Sequence, residues 1–323
     1  MTTLTKRTVL IAAALTISLT TAGCAGGGSA SGSDQLRYMV PNAAGSGWDN
    51  TARTAAKIME EDEIAQRIDV LNVEGANGTV GLARIVADEG NASMVMQMGY
   101  GLVAATVSQD AAGEFEKTTP IAKLLDEYLA VVVPADSPFD TFDDLVAAWK
   151  DNPRLNAGGG SAIGGADHIA TLLAADANGI DRTDINYVSF GGGLLPAVLG
   201  GQVDFAITSA ADSVEQIEAG KLKALGVTGP ERLDSLPDVA TLTELGTDVV
   251  VANWRGVVAP GGLDDEQTQQ LVDKFDQMHQ TQAWKDAVER NGWIDAYMPG
   301  AEFASYIAEQ SAQIETALEG TNG

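Results

Sequence analysis

The residues in this chain that invite chemistry are ones with almost no side chain. Residues 41–49 read Pro-Asn-Ala-Ala-Gly-Ser-Gly-Trp-Asp. They follow the strand-like run 36–40 and precede a pattern in which Ala52, Ala55, Ala56 and Met59 recur at helical spacing. A loop with so little bulk lets its backbone N–H groups approach a bound molecule closely. The helix behind it aims its free N–H groups and positive dipole end at the same point. Together they form an anion cradle built from main chain. Asp49, just ahead of the periodic residues, is the expected N-cap. The competing reading is a plain strand-to-helix connection, since small-residue loops are common punctuation. Recurrence weighs against it: residues 74–81, 158–167 and 191–193 repeat the pattern after strand-like runs. In open α/β sheets, ligands bind just beyond strand carboxyl ends. If the two halves of the chain face each other, all four loops converge on one cleft.

Groups suited to covalent or acid–base work are scarce. The chain has two histidines, His168 and His279, and one cysteine, Cys24. Neither histidine has a Cys, Asp or Glu partner at metal-ligand spacing. His168 begins a helix, where a structural hydrogen bond and a ligand contact are both open; His279 lies on a polar, solvated helix. The glycines of residues 158–165 lack the G-x-G-x-x-G spacing of a dinucleotide loop. No enzyme, metal or cofactor is expected.

Strands and helices alternate along the chain. Strands are expected at 36–40, 68–73, 93–98, 121–125, 129–133, 155–157, 185–190, 203–208, 222–228, 249–252 and 256–259. Helices are expected after the strands at 36–40, 68–73, 129–133, 155–157, 185–190 and 203–208, with a helical turn at 241–245. Three helices close the chain at 265–279, 282–291 and 301–318, and Pro299-Gly300 separates the last two. This βαβ rhythm indicates α/β architecture, with parallel sheet covered on both faces by helices.

Residues 1–23 read as a targeting segment. Lys6 and Arg7 precede the apolar run 9–19, which is too short to span a bilayer. The run ends at Thr21-Ala-Gly-Cys24, a lipoprotein cleavage pattern in which Thr21 stands where Leu is usual. Lipid on Cys24 gives an exported, unpaired thiol a purpose; a plain secretory signal with a stray cysteine is the alternative. Residues 24–34 are a Gly/Ser-rich tether. The chain carries 19 Lys and Arg against 45 Asp and Glu, a formal charge of −26. Such a surface argues against nucleic acid and anionic lipid as electrostatic partners. An anion held by fixed N–H dipoles in a cleft is still compatible with it, because salt screens distant carboxylates.

The order and spacing of these segments resemble the substrate-binding receptors of tripartite tricarboxylate transporters. The resemblance rests on 41–53, on Asn72-Val-Glu-Gly-Ala-Asn-Gly78, on Ser137-Pro-Phe-Asp-Thr141 with Asp144-Leu145, and on residues 186–193. Gly200-Gly-Gln-Val-Asp204, residues 219–228 and Leu236-Pro-Asp-Val239 extend it over essentially the whole mature chain. It implies a two-lobed periplasmic-binding-protein fold of the second type (a Venus flytrap), each lobe a sheet flanked by helices. Lobe one would be 36–132 plus 253–318 and lobe two 133–252, with hinge crossings near Val133 and Ala252. It implies a small di- or tricarboxylate ligand, passed to the permease subunits of the membrane transporter by a monomeric, lipid-anchored receptor on the extracytoplasmic face. A ligand-sensing lipoprotein acting through a membrane partner would use the same clamshell.

Carried over residue by residue, Ala44, Gly45, Ser46, Gly47 and Trp48 meet ligand from lobe one, with Asn77, Gly78 and Thr79 beside them. Ser161, Ala162, Gly164, Gly165, Gly191 and Gly192 meet it from lobe two, with Thr208 and Ser209. Ser46, Thr79, Ser161 and Ser209 add hydroxyls. Trp48 either packs on the ligand's carbon chain or anchors its helix in the core. Many family members have Asp at the position of Thr208, where it can meet a ligand amine; Thr208 therefore points to a di- or tricarboxylate rather than an amino acid. The grip is expected to come from peptide dipoles, without arginine or lysine.

Overall fold

A computed structural model describes residues 35–109 and 111–318. The targeting segment, the tether and Cys24 lie outside the described residues. The first sheet is built from β1 (Gln35–Val40), β2 (Arg67–Asn72), β3 (Met94–Gly99), β4 (Thr118–Asp126), β10 (Arg255–Pro260) and β11 (Ile294–Pro299), in the order β11-β4-β10-β3-β1-β2. The second holds β5 (Leu129–Pro134), β6 (Asn156–Gly159), β7 (Asn186–Ser189), β8 (Phe205–Ser209) and β9 (Leu222–Val227), in the order β7-β6-β8-β5-β9. Both sheets are mixed. β1, β2 and β3 run parallel, as do β6, β7 and β8. The strands that carry the chain between sheets, β5 and β10, run antiparallel to their neighbours. The expected parallel pairing therefore holds within β1–β3 and β6–β8 and gives way at β5 and β10, and again where β11 pairs antiparallel with β4.

That change comes earlier than Val133. β5 lies wholly in the second sheet, so the outward crossing is Glu127-Tyr128, between β4 and β5. The return crossing runs beside it. Tyr128 bridges Ala252, and the Asn253 N–H donates to the Glu127 carbonyl at 2.8 Å. Residues 249–252 form no strand beyond that bridge, and residues 241–245 form turns rather than a helical segment.

Helices α1 (Gly47–Glu61), α2 (Thr79–Val86), α3 (Tyr100–Ser108), α8 (Asp265–Gln280), α9 (Gln282–Arg290) and α10 (Gly300–Leu318) accompany the first sheet. The second carries α4 (Phe142–Asp151), α5 (Ala166–Ala177), α6 (Leu194–Leu199) and α7 (Ala210–Glu218). α1 buries Ala52, Ala55, Ala56 and Met59, the stripe its spacing predicts. α3 and α10 pack against α5. One apolar cluster consequently runs from Met96 and Val103 on the first side through Phe303 and Ile307 of α10 to Ile169 and Phe205 on the second. Arg182, on the turn before β7, donates to the carbonyls of Thr316 at 2.8 Å and Ala317 at 3.3 Å. It thereby caps α10 from the opposite side.

Candidate ligand-binding cleft

The carboxyl ends of β1, β2, β6, β7 and β8 open onto one cleft of about 1210 Å³. Fourteen of the sixteen sequence-derived contact residues line it: Gly45, Ser46, Gly47, Trp48, Asn77, Gly78, Ser161, Ala162, Gly164, Gly165, Gly191, Gly192, Thr208 and Ser209. Ala44 and Thr79 do not. Thr79 is the first residue of α2 and turns its hydroxyl back to the Ala76 carbonyl at 2.9 Å.

The first loop differs from expectation in its cap. Ser46, not Asp49, is the N-cap of α1, and its Oγ accepts the Asp49 N–H. Asp49 sits one turn in and sends its carboxylate back over the loop. Oδ2 accepts the Gly45 N–H and the Arg53 Nε–H, each at 2.8 Å, and Oδ1 accepts from Asn72 at 2.9 Å. Burial works against this charge, but the bonds from Arg53, Gly45 and Asn72 outweigh it and hold the carboxyl below its usual range. Trp48 resolves into a core anchor that also forms cleft wall. A Cβ on Gly99 would lie 3.1 Å from its Nε1, and one on Gly78 3.4 Å from its Cζ3. Gly99 and Gly78 make room for the indole.

The second side repeats the device. The Asp167 carboxylate, from the first turn of α5, accepts the Gly160 N–H at 2.6 Å and the Ser161 N–H at 3.2 Å. Burial raises its pKa to about 6 in spite of those bonds. Tyr187 ties the loop from beneath, donating to the Ser161 carbonyl at 2.8 Å. His168 accepts the Gly164 N–H on Nδ1 at 3.0 Å and lies against Tyr187; burial lowers its pKa to about 4, so it is neutral and structural. His279 is likewise engaged, paired with Asp295 at 2.9 Å and stacked on Tyr297.

Two resident carboxylates thus already hold the N–H groups of Gly45, Gly160 and Ser161. Those of Gly47, Trp48, Ala162, Ile163, Gly191 and Gly192 have no acceptor among the described residues. The donors left for a guest come from both sides of the cleft.

Cationic side chains are present after all. Arg53 and Arg255 line the cleft, with Asp49, Glu74, Glu127, Asp167 and Asp212. Arg255 is buried beneath the start of α1, so close that a Cβ on Gly47 would lie 2.8 Å from its Nη2. Its Nη1 donates to Thr51 and its Nη2 to Glu127, while Nε has no partner. Glu127 in turn accepts from Ser209 Oγ at 2.7 Å, and Ser209 caps α7. The Glu127–Arg255 pair therefore sits where both crossings meet the cleft floor. Asn253, Asn291 and Trp293 complete that floor. No sequence spacing singles out Asp167 at the end of the loop 158–167 or relates Glu127 to Arg255, which lie 128 positions apart.

Residues 51–322 match the family model of the tripartite tricarboxylate transporter family receptor. The chain belongs to that family. A relative from Agrobacterium vitis, a UPF0065 protein encoded in the TAR-I ttuE-ttuC' intergenic region, is 30% identical over 231 residues. The match covers 71% of this chain and 66% of the relative, just under two thirds of its length. A TctC solute-binding protein from Polaromonas superposes with a TM-score of 0.74 at 25% identity, over 88% of this chain and 97% of that one. MatC from Rhodopseudomonas palustris, solved with bound malate, shares the fold at 22% identity and a TM-score of 0.73, over 88% of this chain and 99% of its own. The receptor family and the Polaromonas protein are solute binders, not enzymes.

Proposed function

We propose that this receptor captures a small organic di- or tricarboxylate between two lobes and presents it to the permease of a tripartite transporter. The observation that carries the reading is the set of unpaired N–H groups on loops from both sheets, facing one cleft. Oriented dipoles of this kind bind anions without bringing a mobile counter-charge. The malate in MatC is a ligand of the same chemistry in the same fold.

The lobes of this proposal follow the sheets. One is built on β1–β4, β10 and β11, the other on β5–β9, with the hinge at Glu127-Tyr128 and at residues 252–254. Ligand carboxylates bridge the loops of the two lobes and favour the closed form, because only there are both sets of donors within reach. Gly47, Trp48, Ala162, Ile163, Gly191 and Gly192 supply N–H groups. Ser46, Ser161 and Thr208 add hydroxyls, with Gly45, Asn77, Gly78, Gly164 and Gly165 as close backbone neighbours, while the Ser209 hydroxyl stays on Glu127. The protein is exported and held at the extracytoplasmic face by lipid on Cys24.

A thermal-shift screen of organic acids, followed by calorimetry, tests the binding claim. A saturating ligand at about 100 times its Kd stabilises the protein by roughly 2.7 kcal/mol, a shift of several degrees. Malate, succinate, adipate and citrate are the expected positives. Stabilisation by sugars or amines but by no carboxylate would overturn the reading.

A further inference from the structure

The charge pattern of the cleft is at odds with an anionic guest. Asp49 pairs with Arg53, and Glu127 with Arg255. That leaves Asp167, Asp212 and Glu74 without a salt bridge among the described residues that line the cleft. Glu74 is exposed and solvent screens it; Asp212 is exposed as a residue, but desolvation of its carboxyl and the nearby Glu127 raise its pKa, while Arg255 and the bond from Ser209 lower it. Asp167 is 6% exposed. Its carboxylate lines the cleft on the Gly160 and Ser161 N–H groups, and the free N–H groups of Ala162 and Ile163 follow directly in the same loop. A guest carboxylate using those free donors arrives next to a buried negative charge.

We propose that capturing a carboxylate here takes up one proton from solvent onto Asp167, so that anion and proton bind together. The inference rests on the functional reading above. The protonated carboxyl keeps an oxygen to accept from Gly160 and Ser161, so the loop stays in place. It gains an O–H that can donate to the guest, and an O–H to carboxylate bond is short and strong. Two carboxyl groups sharing one proton avoid the repulsion that two ionised ones suffer. On release the proton returns to solvent with the anion.

The surroundings of Asp167 suit this role. Its field includes Glu127 from the crossing, which raises its proton affinity, while Thr208 on β8 and the two loop N–H groups lower it. Tyr187 on β7 and the neutral His168 complete the cluster. The other ionisable groups on elements packed against α5 are Tyr100 on α3, Arg182 and Asp184 on the turn before β7, and Glu302, Tyr306, Glu309 and Glu315 on α10. None of these is among the causes that set Asp167. Burial already places its pKa at about 6. A neighbouring anion raises it further, so affinity is highest below pH 6 and falls as pH rises through 6 to 8.

Calorimetric titration of malate, or of the tightest acid from the screen, tests this at pH 5.5 and 7.5 with wild type and Asp167→Asn. A pKa raised by one to two units on binding makes the wild type roughly five- to twentyfold tighter at pH 5.5 than at 7.5. That factor is taken relative to the variant, which cancels titration of the ligand itself. Wild type should also show a binding enthalpy that tracks buffer ionisation enthalpy more steeply than the variant. An equal pH slope in both proteins overturns the inference and leaves the function standing. A second readout needs no variant: the ¹³C carboxyl resonance of Asp167 should titrate at higher pH in the saturated protein than in the free one. An unchanged or lower midpoint overturns the inference. If no carboxylate binds at either pH, the functional reading falls and this inference falls with it.

Discussion

At the scale of single residues, the cleft is organised by carboxylates that turn back on their own loops. Asp49 and Asp167 hold Gly45, Gly160 and Ser161 in the conformation a ligand meets. Glu127 does a different job, joining Arg255 of the first sheet to Ser209 of the second. Both members of the ion pair are under a tenth exposed. Replacing Glu127 with Ala leaves a buried guanidinium uncompensated, which costs about 3–5 kcal/mol. Urea unfolding of Glu127→Ala should show that loss. A double substitution, Glu127→Ala with Arg255→Met, should recover a large part of it, because no unpaired charge is then left behind. The loop positions were legible in the sequence because small residues between strand and helix leave few alternatives. The pairing of Glu127 with Arg255 was not, because only the fold brings those positions together. Asp49 was misassigned for a local reason. An Asp just before a periodic stretch fits the capping preference, yet the helix begins three residues earlier, where Ser46 Oγ accepts the N–H of Asp49 itself.

Among the elements, the strongly periodic helices and the buried strands follow their patterns closely. α3 was missed. Leu102, Val103, Ala104, Ala105 and Thr106 are all buried, so no polar face marks a helical period. β11 was missed for a related reason. It is short and only partly covered, and its pairing with β4 is interrupted between Asp295 and Met298. Capping is where an element meets the cleft most directly. Ser209 closes β8, caps α7 and donates to Glu127. Ser209→Ala removes a cap worth about 1 kcal/mol and strips a buried acceptor of its donor for about 1–3 kcal/mol more. Ser209→Thr keeps both bonds and should retain most of the stability. Thermal melts of the two variants, compared with wild type, check this.

For the molecule as a whole, the two-lobed α/β architecture was legible from the alternation of elements and the family motifs together. The continuous apolar contact of α3, α5 and α10 was not, because it depends on how the halves meet. The order of strands also bears on how the chain assembles. The second sheet draws on one unbroken stretch, Leu129 to Val227, whereas the first holds β10 between β3 and β4. Until residues 255–260 are in hand, β4 has no neighbour on that flank and β3 lacks its inner partner. Closing a long loop before its contacts reward it is slow. In refolding followed by pulsed hydrogen exchange, amides of β5, β8 and β9 should gain protection before those of β3 and β4. Simultaneous protection of both sheets would contradict that sequence of events. A chain emerging amino end first therefore cannot finish its leading half until its trailing half is out, and until then it is a client for whatever guards nascent polypeptides along its route.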